Sequence, residues 1–206
     1  MTTDQMNIRP PRWAETMLRL ALRDHDRETV SGDLLEEYRE SVRPSRGAAA
    51  ADMWYIRQVA GFLWRATWAW ALLFSGAFVA RQAYDMFVPT NDFVLRSEVT
   101  TYTAVAILVL VAFWASWRSA SFVAGVVSTV LMTQLAAVFS VAGASMLLAI
   151  RHDPDTMSAI AGSGGTEEMY VLPFMAIVPA IIVGTVGAAA GILSRGILGA
   201  SAHRAR

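Results

Sequence analysis

The densest array of functional side chains in this 206-residue chain is acidic. Asp33, Glu36, Glu37 and Glu40 recur at helical spacing, with Arg39 and Arg43 alongside. Carboxylates on one helix face suit a cation site or a docking surface for a basic partner. A solvated face laced by intrahelical ion pairs, each worth about 0.2–0.5 kcal/mol, is the simpler reading. The three histidines, His25, His152 and His203, are dispersed. His152 with Asp153 and Asp155 offers one small ligand set, too sparse to hold a cation well, and no metal site is expected. Nucleophilic catalysis finds no support. Cysteine is absent, no serine sits in a G-x-S-x-G elbow, and Gly162-Ser163-Gly164-Gly165 lacks the lysine of a phosphate loop. Neither enzymatic activity nor a cofactor is expected. Two further groups stand in apolar surroundings. Gln134, near Thr129 and Thr133, suits interhelical hydrogen bonding, at about 0.6–2 kcal/mol in lipid, or the lining of a pore. Gly184, Gly187 and Gly191, with Ala180 and Ala188, make a small-residue face that admits a closely packed helix, from this chain or from a partner.

The elements that hold these residues follow from composition and hydropathy. Hydrophobic residues make up 55% of the chain, above the roughly 45–50% of soluble domains. The 17 basic and 17 acidic residues cancel, which argues against a nucleic-acid partner. All basic side chains apart from histidine are arginine, as expected of a GC-rich bacterial genome. The first 50 residues are polar and carry no apolar signal segment, so the first apolar helix is expected to act as its own insertion signal.

Four apolar stretches then follow, from Phe62 to Ala80, Val99 to Trp117, Ser119 to Ile150 and Tyr170 to Ser194. Each approaches or exceeds the roughly 20 residues needed to cross a bilayer core of about 30 Å. Three of them are apolar around the whole circumference, whereas a soluble helix keeps a polar stripe. The third is long enough to tilt or to project beyond the bilayer, and Pro173 and Pro179 are expected to kink the outer half of the fourth. With the N-terminus inside, fourteen arginines are cytosolic: ten in residues 1–65, then Arg118, Arg195, Arg204 and Arg206. Only Arg81, Arg96 and Arg151 fall outside, the pattern of the positive-inside rule. Trp64, Trp68, Trp70, Trp114 and Trp117 cluster at the inner boundary, and Tyr84, Tyr102 and Tyr170 at the outer one. The result is two hairpins with outer loops of about 18 residues and a tight inner turn at Arg118.

Ahead of the spans, Pro10-Pro11 is suited to start a helix with Trp13, Met17 and Leu20 as its apolar face. Asp24-His25-Asp26 breaks it. A second helix runs to about Val42 with Val30, Leu34, Tyr38 and Val42 as its buried stripe, and Pro44 and Gly47 end it. Gly32 costs that helix roughly 1 kcal/mol relative to alanine, which suggests a close crossing or kink. A third helix starts at Ala48 and runs through Trp54 and Gln58 into the first span.

Gly32-Asp33-Leu34-Leu35-Glu36-Glu37-Tyr38, an Ala-rich stretch and Trp54-Tyr55-Ile56-Arg57-Gln58 occur in that order. Residues 11 to about 60 thereby resemble the permease prefix domain, a helical module that precedes the membrane part of macrolide-exporter-class ABC permeases. The large extracytoplasmic domain of such permeases has no counterpart here, so the resemblance implies a transport-associated head and not transport itself.

The expectation is an all-α integral membrane protein. A leader spans 1–9, disordered; a cytosolic three-helix head spans 10–60. Four transmembrane helices fill 61–198 (near 62–80, 99–117, 121–150 and 170–194), and a cytosolic tail covers 199–206. Its expected setting is the bacterial inner membrane with both termini cytosolic. Its expected role is that of an accessory subunit, docking a transporter component through Gly32, Asp33, Glu36, Glu37, Tyr38, Trp54 and Gln58. The alternative is a small oligomeric transporter or channel built around the third and fourth spans, with Gln134, Gly184, Gly187 and Gly191 at the packing face or pore. Partners are then membrane lipid and either a protein partner or further copies of the chain.

Overall fold

The computed structural model describes residues 9–87, 93–150, 170–171 and 173–204, all helical or in short turns. Helix α1 spans Arg12–Ala21, α2 Arg27–Glu37, α3 Arg43–Arg46, α4 Ala48–Phe87, α5 Phe93–Ser119, α6 Phe122–Ile150 and α7 Ile177–Arg204. Helices α4 to α7 contain four segments long and apolar enough to cross a membrane: Ala48–Ala80, Glu98–Ser119, Phe122–Ile150 and Pro173–Leu198.

The head forms from α1, α2, α3 and the start of α4. Its core gathers Ala14, Leu18, Leu22, Leu34, Tyr38, Val42, Ala51, Tyr55 and Val59. The apolar face of α1 is turned from the one expected. Ala14 and Leu18 are buried while Trp13 is 56% exposed, because the small Ala14 lets α1 lie close against α4. Helix α2 does keep Leu34, Tyr38 and Val42 inside at four-residue spacing. Its continuation past Pro44 has a physical cause. Residues Tyr38–Val42 form a π turn, which widens the helix where a proline ring would otherwise press on the carbonyl four residues back. Gly47, at φ 77°, then ends the helical run in a backbone region that favours glycine. Gly32 makes no close crossing: a methyl group there would meet nothing within 4 Å.

Helix α4 is continuous over 40 residues, about 60 Å at 1.5 Å per residue. Its first turns belong to the head and the rest to the four-helix unit, so head and unit share one rod. Helices α4 and α5 extend past their apolar stretches, to Phe87 and from Phe93. At the opposite end Ala120 and Ser121 join α5 to α6. Ala120 adopts φ 51°, and the Ser121 hydroxyl accepts from the Ala124 N–H at 3.3 Å as an N-cap. Helix α7 starts at Ile177 after a break at Ala176, between Pro173 and Pro179. Pro179 thus falls in the first turn, where a backbone N–H would be unpaired in any case.

Burial in the four-helix unit favours small residues, which surround a few large ones, Phe74, Ile107, Leu108, Val111 and Met132. Ala71, Ala112, Ser116, Ala124, Thr129, Ala136, Ala137 and Ala188 are inside, while Leu110, Val138, Ile182, Val186 and Leu193 are more than half exposed. Small residues at many of the helix contacts, with large apolar side chains exposed around them, are the arrangement of helices packed in lipid, where close backbone approach rather than water exclusion drives association. The expected leader and the segment holding His152, Asp153, Asp155 and Gly162-Ser163-Gly164-Gly165 lie outside the described residues, apart from Arg9. The stretch expected as a tail is helical as far as Arg204.

Candidate functional site

The motif Gly32 to Tyr38 divides between two environments. Asp33, Glu36, Glu37 and Glu40 are all exposed, and among the described residues no salt bridge engages any of them. Tyr38 points the other way and is fully buried. Its ring meets that of Tyr55 edge to face at 5.8 Å, its hydroxyl donates to Asp52 Oδ1 at 2.5 Å, and it accepts from Arg43 Nη1 at 3.0 Å. Burial first, then the bond to Asp52, raises the pKa of the phenol above its ordinary 10.0, against the opposing pull of Arg43. Trp54 is partly buried and packs on Tyr55, with ring centres 6.5 Å apart. Gln58 is exposed. Of the residues expected to dock a partner, the acids, Gly32 and Gln58 are accessible, Trp54 is half covered and Tyr38 belongs to the core.

A second polar cluster joins the head to the four-helix unit. Arg27 Nη2 donates to the Ser119 carbonyl at 2.8 Å, and its Nε donates to the Arg19 carbonyl at 3.1 Å. Arg118 Nη2 donates to the Ala21 carbonyl at 3.0 Å. Arg195 bridges the Trp117 carbonyl and Asp24 Oδ2, each at 2.9 Å. The Asp24 N–H approaches the Arg118 carbonyl at 3.4 Å. The guanidinium–carbonyl contacts share a cause: the last carbonyls of α1 and α5 lack intrahelical partners and sit at the negative end of the helix dipole, where guanidinium groups are favoured. Sequence reading missed this clasp. The one usable signal was position, since Arg118 is the lone charge between two apolar stretches and Arg195 the first charge after the fourth.

Beside the clasp lies a cavity of about 180 Å³, lined among others by Arg23, Asp26, Phe62, Arg65 and Arg118. Nε of Arg118 is buried without a hydrogen-bond acceptor, a state that costs about 1–3 kcal/mol. Among the described residues neither Arg23 nor Arg65 forms a salt bridge.

In the four-helix unit the expected polar patch does not converge. Thr129 and Thr133 are buried and donate to carbonyls of their own helix, at Gly125 and Thr129, both at 2.8 Å. Gln134 turns elsewhere and reaches the Phe174 carbonyl at a long 3.4 Å. The glycine face of α7 packs within the chain. A methyl at Gly187 would lie 2.6 Å from the Val109 carbonyl oxygen, and one at Gly191 2.6 Å from that of Phe113, both on α5. Gly184 lies closest to Thr129 of α6, at 3.2 Å by the same measure. Among the described residues no three His, Asp or Glu side chains converge on a point.

No protein-family model matches the chain, and no curated protein or solved structure matches it either. Fold and composition define an all-helical protein with four helices able to cross a membrane.

Proposed function

We propose that this chain is a non-enzymatic protein of the bacterial inner membrane, with a cytosolic head that docks a basic segment of a transporter component. The observation that carries the reading is the acidic face of α2 and its π turn. Asp33, Glu36, Glu37 and Glu40 are exposed together, without ion pairs among the described residues, on a head held to the membrane unit by a shared helix and three arginines. A rigidly mounted charged patch steers and orients a complementary partner more than it adds raw affinity. Likeness to a permease prefix domain supports the same assignment, and the arginine distribution supports cytosolic termini. The reading of α7 as an oligomeric pore element draws no comparable support, because its glycines are occupied by α5 and α6 of the same chain.

The test is crosslinking mass spectrometry in native membranes with a photoreactive residue at Glu37. Crosslinks to one defined protein, lost when Asp33, Glu36 and Glu40 are changed to the neutral amides, are expected. Crosslinks confined to the chain itself or its copies would overturn the docking role and return the acids to a solvated face.

A further inference from the structure

We propose that the cavity between head and four-helix unit binds the phosphate of an anionic phospholipid headgroup. Three arginines line it, Arg23 from the α1–α2 turn, Arg65 from α4 and Arg118 from the end of α5. They face one carboxylate, Asp26, which also contacts His25 Nε2 at 3.0 Å, so the lining carries a net charge of +2 with the histidine neutral. Asp24, Arg27 and Arg195 stand nearby but engage one another and the helix carbonyls. Arg23 and Arg65, both exposed, form no salt bridge among the described residues, and Arg118 has a buried N–H without an acceptor. A phosphate oxygen supplies what all three lack, with the planar donor geometry that guanidinium favours.

Volume and place agree with that ligand. The cavity is far larger than the roughly 10–15 Å³ that a single water requires. It is lined by Phe62 and Arg65, where the head gives way to the apolar part of α4. On the membrane reading proposed above, that level is the cytosolic headgroup layer, where basic pockets take anionic lipid. Bound there, the headgroup would bridge the α1–α2 turn, α4 and α5 and hold the head to the unit.

The test uses full-length protein in detergent, with thermal unfolding and native mass spectrometry as readouts. The probes are dioleoylphosphatidylglycerol, dioleoylphosphatidylcholine and inorganic phosphate, each added alone. Phosphatidylglycerol is expected to stabilise the wild type and to be retained on it. Arg23→Gln and Arg65→Gln, which remove no hydrogen bond seen within the protein, are each expected to weaken its binding roughly tenfold. Arg57→Gln, an exposed arginine on the same helix, is expected to leave binding unchanged. Equal retention of phosphatidylcholine, or an equal effect of Arg57→Gln, would overturn the site. Stabilisation by inorganic phosphate matching that by phosphatidylglycerol, and lost in Arg65→Gln, would overturn the lipid source and assign the pocket to free phosphate. Loss of lipid binding with crosslinking at Glu37 intact separates this site from the docking role.

Discussion

Replacing Gly187 with alanine probes the packing that brings α5 and α7 together. The new methyl would lie 2.6 Å from the Val109 carbonyl oxygen and 2.9 Å from Ala112 Cβ. The first distance is about 0.8 Å short of the 3.4 Å at which contact becomes ordinary. Because the obstacle is backbone, a side-chain rotation cannot relieve it and one helix must shift. Overpacking of that kind costs about 1–3 kcal/mol. Alanine also brings a gain in helix propensity of up to about 1 kcal/mol, which would blur a comparison with wild type alone. Gly196→Ala on the same helix removes the ambiguity, since a methyl there meets nothing within 4 Å. Both variants receive the propensity gain, so the difference between them isolates the overlap. Thermal unfolding in detergent, followed by tryptophan fluorescence, should place Gly187→Ala below Gly196→Ala by about 2–4 °C per kcal/mol. Ser116→Ala should rescue Gly191→Ala only in part, because the Phe113 carbonyl still stands 2.6 Å from the added methyl. Equal midpoints for Gly187→Ala and Gly196→Ala would refute close α5–α7 packing.

The clasp, the head core and the acidic helix each yield a further expectation. Asp24→Asn and Arg195→Gln should each loosen the head, and a double-mutant cycle should show a coupling of no more than about 1 kcal/mol that shrinks with added salt, because the pair is 40–48% exposed; strictly additive effects at low salt would argue against the bridge. Tyr38 sets a pH limit. Its folded pKa lies above the ordinary 10.0, so its contribution is complete below pH 10 and lost as pH rises through the folded value. Amide exchange in the head of the wild type should therefore rise in strongly alkaline buffer, and Tyr38→Phe should show weaker protection at neutral pH with a flatter alkaline response. Gly32→Ala should raise head stability by up to about 1 kcal/mol, since the site is exposed and open; a loss in a thermal melt would reveal a crossing that the fold lacks.

Legibility in the sequence followed the range of the interaction. The long helices were readable because a bilayer crossing imposes a local demand, an unbroken apolar run. The uninterrupted passage from Ala48 into the first apolar stretch was readable for the same reason. The buried stripe of α2 was visible in the spacing of Leu34, Tyr38 and Val42, but the face of α1 was misjudged. Hydrophobicity pointed to Trp13, whereas close approach to α4 favoured the small Ala14. In the motif Gly32 to Tyr38, a single run of residues hides two tasks: the acids stay in solvent and the tyrosine joins Tyr55 in the core. The arginine clasp and its cavity were illegible. They unite residues up to 171 positions apart, Asp24 with Arg195, and no local pattern encodes that meeting.

The side of the membrane on which the head lies tests the docking role and the headgroup pocket most directly. The chain has no cysteine, so single substitutions report without background. Glu37→Cys and Ser163→Cys would be probed in bacterial cells whose outer layer is opened, using a maleimide that cannot cross the inner membrane. Ser163→Cys is expected to label in intact inner membranes and Glu37→Cys only after permeabilisation. Labelling of Glu37→Cys from outside would contradict the cytosolic docking role and the headgroup pocket.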